Sequence, residues 1–195
     1  MPKRERWDAR YEKPSLIHGD QPSEFLRENA DLLPNAGLAL DLAAGEGRNA
    51  VFLAELGLEV LALDISVRAL QKCKRLAGER KVRVEAAAVD LTTFAIPPDS
   101  FDVIVNFNYL QRVLGPQIIT GLKPRGVVVF ETFTKAHLRW KADFNPEYLL
   151  GPGELAQLFA GLHLLKYREM EGRGQGLADA STKSVASIIA TKSRR

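Results

Sequence analysis

The chain has 195 residues, 46% hydrophobic and 26% charged, which suits one soluble globular domain and excludes a disordered or fibrous chain. The net charge is +3, and the basic residues at Lys3, Arg4 and Arg6, between Lys72 and Lys81, and from Lys192 to Arg195 read as solvated faces and charged termini; nucleic acid is not expected as a partner. Cys73 is the only cysteine, no apolar run approaches ~20 residues and no signal-peptide h-region is present, so a disulfide, a cysteine zinc site and a membrane span are excluded and a cytoplasmic protein is expected.

At the N-terminus, Trp7 and Tyr11 are spaced i, i+4 and share one face of a helix with Arg10 beside them. They form either an aromatic clasp on the body of the domain or a lid, with Arg10 meeting a carboxylate. His18 and Gly19 fall in a loop. Pro22 to Leu33 reads as a helix, with Pro22 in its first turn, and Pro34 to Gly37 ends it.

Leu38 to Asn49, LALDLAAGEGRN, is a buried strand ending on Asp41, a turn on Gly45 and Gly47, and the opening of a helix. The glycines allow positive φ and close approach of a ligand. Ala50 completes G-x-G-x-x-A, so a dinucleotide site is one candidate. Asp41 opposes it, because a helix N-terminus holding a pyrophosphate disfavours negative charge nearby. The carboxylate suits a ligand with positive charge, such as the ammonium and sulfonium of S-adenosylmethionine.

Arg48 to Leu56 is the first crossover helix, ended by Gly57. The next apolar run, Leu58 to Leu63, ends on Asp64. Ser66 can cap the following helix, whose stripe holds Leu70, Cys73 and Ala77. The run Val82 to Val89 ends on Asp90. Three acids thus stand at three strand ends, the edge where parallel sheets bind ligands. An ionised carboxylate only accepts hydrogen bonds, so these acids suit donor groups on a ligand.

Thr92 to Ser100 is a loop, and Phe101 to Phe107 is the fourth strand, with Asn106 and Tyr109 near its end. Val113 to Leu122 is a helix interrupted at Gly115-Pro116, Leu122 to Gly126 is a turn, and Val127 to Phe133 is the fifth strand. Thr134 to Gly151 is a long excursion holding His137, Arg139, Trp140, Phe144 and Tyr148. Pro152 to Phe159 is a short helix. Leu162 to Met170 and Ser184 to Thr191 read as a hairpin joined by the Gly-rich Glu171 to Lys183.

The segment D-x-A-x-G-x-G from Asp41 to Gly47, with Asp64, Asp90 and L-K-P-x-G at Leu122 to Gly126, resembles the class I S-adenosylmethionine-dependent methyltransferases over most of the chain. WDARY at Trp7 to Tyr11 resembles the segment that closes over the cofactor in tellurite-resistance (TehB-like) and thiopurine-methyltransferase-like members. The resemblance implies a doubly wound, Rossmann-like α/β fold. Its seven-stranded, mostly parallel sheet has helices on both faces and an antiparallel C-terminal strand. It implies one domain over 1–195, with a lid and helix in 1–35 and the core in 36–195. The cofactor residues it implies are Trp7, Arg10, Tyr11, Asp41, Ala43, Gly45, Gly47, Arg48, Asn49, Asp64, Ile65, Ser66, Asp90, Leu91 and Asn106. Here Asp64 would bind the ribose and Asp90 the adenine amino group.

Tyr109, Glu131 and His137 are the candidate acceptor contacts or base. No catalytic residue is assigned, because methyl transfer from a sulfonium depends mainly on alignment of the reactants; no metal is expected. The product would be S-adenosylhomocysteine. Amine and amide methyltransferases carry Asn/Asp-Pro-Pro-aromatic where this chain has Asn106-Phe107-Asn108-Tyr109, which turns the expectation to a small acceptor, a thiol or a metalloid oxyanion. The competing readings are an RNA or protein methyltransferase, a non-catalytic S-adenosylmethionine-binding protein and a nicotinamide oxidoreductase.

Overall fold

In the computed structural model, which describes residues 3–173 and 182–194, each apolar run that leads to an acid is a strand. The seven strands lie in the order β3-β2-β1-β4-β5-β7-β6. By its contacts the chain divides into two compact units, Met1–Ala95 and Ile96–Arg195.

In the first unit, β1 (Leu38–Leu42), β2 (Glu59–Asp64) and β3 (Val84–Ala88) are parallel. Asp41 stands level with Ala62, and Asp64 with Ala88. β1 is buried on both faces from Ala39 onward, as a strand covered on both sides must be. α3 (Arg48–Glu55) packs on β1 and β2, and α4 (Val67–Glu79) on β2 and β3. Ser66 caps α4, its Oγ accepting from the Ala69 N–H at 3.1 Å. Leu70, Cys73, Leu76 and Ala77 form the buried stripe, and burial pushes the Cys73 thiol up to about 12, so it is a packing residue and no nucleophile. α1 (Lys3–Arg10) carries Trp7 and stacks it on Tyr11, as the spacing predicts.

The helix expected over 22–33 is shorter. α2 spans only Glu24–Arg27, followed by a 3-10 turn at Ala30–Leu32. The Asn29 amide donates to the Phe25 carbonyl at 2.7 Å, taking the acceptor that the next turn of helix would have used.

In the second unit, β4 (Phe101–Phe107) and β5 (Leu122–Phe133) are parallel, β7 (Thr182–Thr191) is antiparallel to β5, and β6 (His163–Arg173) is antiparallel to β7. The antiparallel C-terminal strand is therefore present, and the expected hairpin pairs β6 with β7. Of its joining segment, residues 174–181 lie outside the described residues. α6 covers Glu154–Leu158.

Two local expectations change here. α5 runs without interruption over Leu114–Gly121, because Gly115 and Pro116 fall in its first turn, where a missing N–H costs nothing. The turn expected at Leu122 to Gly126 is instead a bulge inside β5. Leu122 pairs with Phe101 and Val127 with Val103, and Arg125 between them is left-handed at φ 67°. The excursion from 134 to 151 holds two 3-10 turns, Lys135–Arg139 and Pro146–Tyr148.

Candidate active site

The first unit holds one cluster. Past Asp41 the backbone is left-handed at Ala43 (φ 55°), Gly45 (φ 56°) and Gly47 (φ 83°). Ala43 is a conformation that L-residues adopt at a cost, and such strain gathers at functional turns. A Cβ on Gly47 would stand 2.6 Å from the Cys73 Cβ, so the loop fits against α4 only without a side chain there. A Cβ on Gly45 would stand 3.1 Å from the Tyr11 hydroxyl, which packs the N-terminal segment against the loop.

Asp41 is 1% exposed. It accepts from the Ala50 N–H, and its Oδ2 is buried with no partner among the described residues. Burial first, and the Asp64 charge second, push its carboxyl up to about 8. Asp64 is also buried. Its Oδ2 accepts from the Gly45 N–H and its Oδ1 from the Ser66 N–H, each at 2.8 Å. The Ile65 N–H adds a third bond, yet burial dominates and raises this carboxyl too. Asp90 is half-exposed and its Oδ1 takes the Thr92 hydroxyl at 2.7 Å and the Thr92 N–H at 2.9 Å; these bonds hold it below the usual carboxylate range. Leu91 beside it is buried.

Further contacts, which spacing does not announce, fasten the N-terminal segment to this cluster. Asp8 accepts from the Ser66 hydroxyl at 2.6 Å and from the Arg68 N–H at 3.1 Å, at the N-terminus of α4. Glu46, in the glycine loop, accepts from the Ile17 N–H at 2.7 Å and from Lys72 Nζ at 2.8 Å. Lys72 Nζ also reaches the Ser15 carbonyl at 2.9 Å. Arg48 donates to Ser23 Oγ at 3.1 Å and the Asn49 Oδ1 accepts from the Ser23 N–H at 2.8 Å, so both are spent on tying down the same segment. The Arg10 guanidinium lies over the Trp7 ring, 5.7 Å from its centroid.

The second unit holds the other candidates. Asn106 is fully buried at the end of β4, its amide donating to the Tyr109 carbonyl at 2.7 Å and its Oδ1 unpartnered among the described residues. The Tyr109 hydroxyl donates to Gln111 at 2.7 Å. Glu131 accepts from the Ser187 hydroxyl at 2.6 Å and pairs with Lys183 at 3.3 Å and Arg168 at 3.6 Å. Its carboxyl is thus engaged by side chains of the two neighbouring strands, β7 and β6. His137 is buried in the 3-10 turn after β5, with Nδ1 unpartnered among the described residues; burial first and Lys141 second lower its pKa. Among the described residues no three His, Cys, Asp or Glu side chains form a metal site, and no helix is long and apolar enough to cross a membrane.

Residues 39–125 match the family model described as a methyltransferase domain. The match spans less than half of the chain and holds β1, β2, β3 and β4 with the glycine loop. A solved structure from Listeria monocytogenes, described as an S-adenosylmethionine-dependent methyltransferase, superposes with a TM-score of 0.68 at 17% identity, over 87% of this chain and 97% of that one. Hemagglutinin 1 of Eikenella corrodens is 31% identical over 141 residues, 68% of this chain and 46% of that protein. A ubiquinone biosynthesis O-methyltransferase of Bartonella tribocorum is 25% identical over 134 residues, 65% of this chain and 54% of that protein. The chain thus spans about half the length of these curated relatives. Among solved structures, TehB from Haemophilus influenzae superposes with a TM-score of 0.68 at 20% identity, over 97% of this chain and 67% of that one, a likeness of fold. The family match ends at Arg125, so Glu131 and His137 lie beyond it.

Proposed function

We propose that this chain transfers a methyl group from S-adenosylmethionine to a small acceptor in the cytoplasm, and that both units form one methyltransferase domain over residues 1–195. The observation that carries the reading is the Asp41 carboxylate, buried at the end of β1 beneath a left-handed glycine loop with one oxygen unpartnered. A cationic ligand is what such a group lacks, and S-adenosylmethionine brings an ammonium and a sulfonium. Trp7, Arg10 and Tyr11 are then the lid, Asp64 and Asp90 the ribose and adenine contacts, and Asn106 a further cofactor contact. Relatives named for O-methylation support a small acceptor. A thiol and a metalloid oxyanion are the classes the sequence resemblance favours.

Isothermal titration with S-adenosylmethionine, S-adenosylhomocysteine and NADH tests the reading. Binding of the two adenosyl ligands alone supports it, and binding of NADH alone refutes it. Asp64→Ala is expected to weaken S-adenosylmethionine by ~1.5–3 kcal/mol, the worth of a charged hydrogen bond. The same change frees the N–H groups of Gly45 and Ser66, so the titration is run below the melting onset found by circular dichroism. An affinity equal to that of the unsubstituted chain removes Asp64 from the ribose site.

A further inference from the structure

We propose, independently of the methyltransferase reading above, that the cavity between α3 and the loop ahead of α2 binds a small carboxylate with an apolar body, held by Arg27 and Arg48. The cavity lies wholly within the first unit and holds about 150 Å³. Arg48, Val51, Phe52 and Glu55 line it from α3, at spacings that put them on one face of the helix. Val51 is buried and Phe52 half-buried, and with Pro22 they give the cavity an apolar lining.

The charges around this lining do not cancel. Three guanidiniums, from Arg27, Arg48 and Arg80, stand against two carboxylates, from Asp20 and Glu55. Arg80, at the end of α4, engages both acids. The Gln21 amide and Arg80 hydrogen-bond to Asp20 and hold its carboxyl below the usual carboxylate range. Arg48 donates to uncharged oxygens, the His18 carbonyl at 3.4 Å and Ser23 Oγ at 3.1 Å. The exposed Arg27 guanidinium has no partner among the described residues. One positive charge is therefore left over, and a monoanion balances it. The guanidinium fork matches a carboxylate, which it binds through two parallel hydrogen bonds. A phosphate would bring a second negative charge towards Asp20 and Glu55 and would leave the apolar lining wet. An apolar body on the carboxylate covers Val51 and Phe52 instead, which removes that surface from water. The same loop carries Ser23, whose N–H donates to the Asn49 Oδ1 at 2.8 Å. A ligand seated here thus braces the first turn of α3, which opens from the glycine loop.

The test titrates benzoate, benzamide and inorganic phosphate into the whole chain and follows its backbone amide resonances. Benzoate is expected to saturate and to move the amides of Gln21, Val51 and Phe52 most, since these residues line the cavity. Benzamide carries the same ring without the charge and is expected to leave them in place. Arg27→Gln is expected to weaken benzoate by ~10–100-fold, the worth of a charged hydrogen bond. Lys13→Gln removes the same charge from an exposed position outside the cavity and is expected to leave the affinity unchanged. No saturation by benzoate overturns the site, as do shifts centred elsewhere in the unsubstituted chain. Equal binding of benzamide, or phosphate bound more tightly than benzoate, overturns the ligand class. An affinity unchanged in Arg27→Gln, or lowered as much in Lys13→Gln, overturns the role of Arg27.

Discussion

Asp41→Asn is expected to make the protein more stable near neutral pH while costing it most of its affinity for S-adenosylmethionine. The folded carboxyl stands at about 8 against 3.8 unfolded. Below the lower value both states hold the proton and the group has no effect. Between the two values only the unfolded chain releases it, so wild-type stability falls as pH rises through this window and is level above it. Asparagine removes that slope. It leaves an unpartnered amide in place of an unpartnered oxygen, so the net gain near pH 7 is about 1–3 kcal/mol. For binding, a cation seated beside Asp41 draws the proton off the carboxyl and pairs with the anion, which an amide cannot do, and a loss of about 1.5–3 kcal/mol follows. Urea melts at pH 5 and pH 7.5 read the first effect and calorimetry the second. A variant with the same pH slope as wild type would show that the buried charge is not what sets it. If that variant bound S-adenosylmethionine as tightly as wild type, the cationic-ligand argument would fall too.

Lys72→Met is expected to destabilise the fold by about 3–5 kcal/mol, the usual result of stripping one partner from a buried ion pair. The pair is nearly dry, with side-chain exposures of 8% for Lys72 and 3% for Glu46. Glu46 would be left charged with only the Ile17 and His18 N–H groups for company. The loss is mostly desolvated charge, so Lys72→Met combined with Glu46→Gln should recover much of it. Double-mutant melts measure this, and a double variant no better than the single would mean that Lys72 acts through packing instead. Hydrogen exchange at Ile17 should rise in the single variant, since that amide donates to Glu46.

The strands were the most legible part of the chain. Leu38 to Asp41 and Leu58 to Asp64 are apolar runs closed by an acid, and burial on both faces leaves such runs little other choice. Where a side chain competes with the backbone, the pattern misleads. Asn29 breaks the second helix through its own amide, and nothing in the spacing of Phe25, Leu26 and Leu33 signals that. The bulge at Arg125-Gly126 looks like a turn because it uses turn residues. In the site, Asp41 and Gly45 were readable because the motif itself fixes backbone and charge. Glu46 and Lys72 were not, because 26 residues separate them and a lysine on a helix reads as solvated until the N-terminal segment covers it. The partners of Glu131 were hidden for a similar reason. Its cations, Arg168 and Lys183, come from strands that join it only in the folded sheet.

Asp8 has one more effect. The start of α4 offers free N–H groups and the positive end of a helix dipole, a natural seat for a phosphate. Asp8 already fills it, bonding to Ser66 and Arg68. A nucleotide with a phosphate on the ribose beside Asp64 would meet a seated carboxylate where NADP-binding folds commonly supply an arginine. On the proposed cofactor reading, the seated Asp8 carboxylate favours an uncharged ribose over a phosphorylated one.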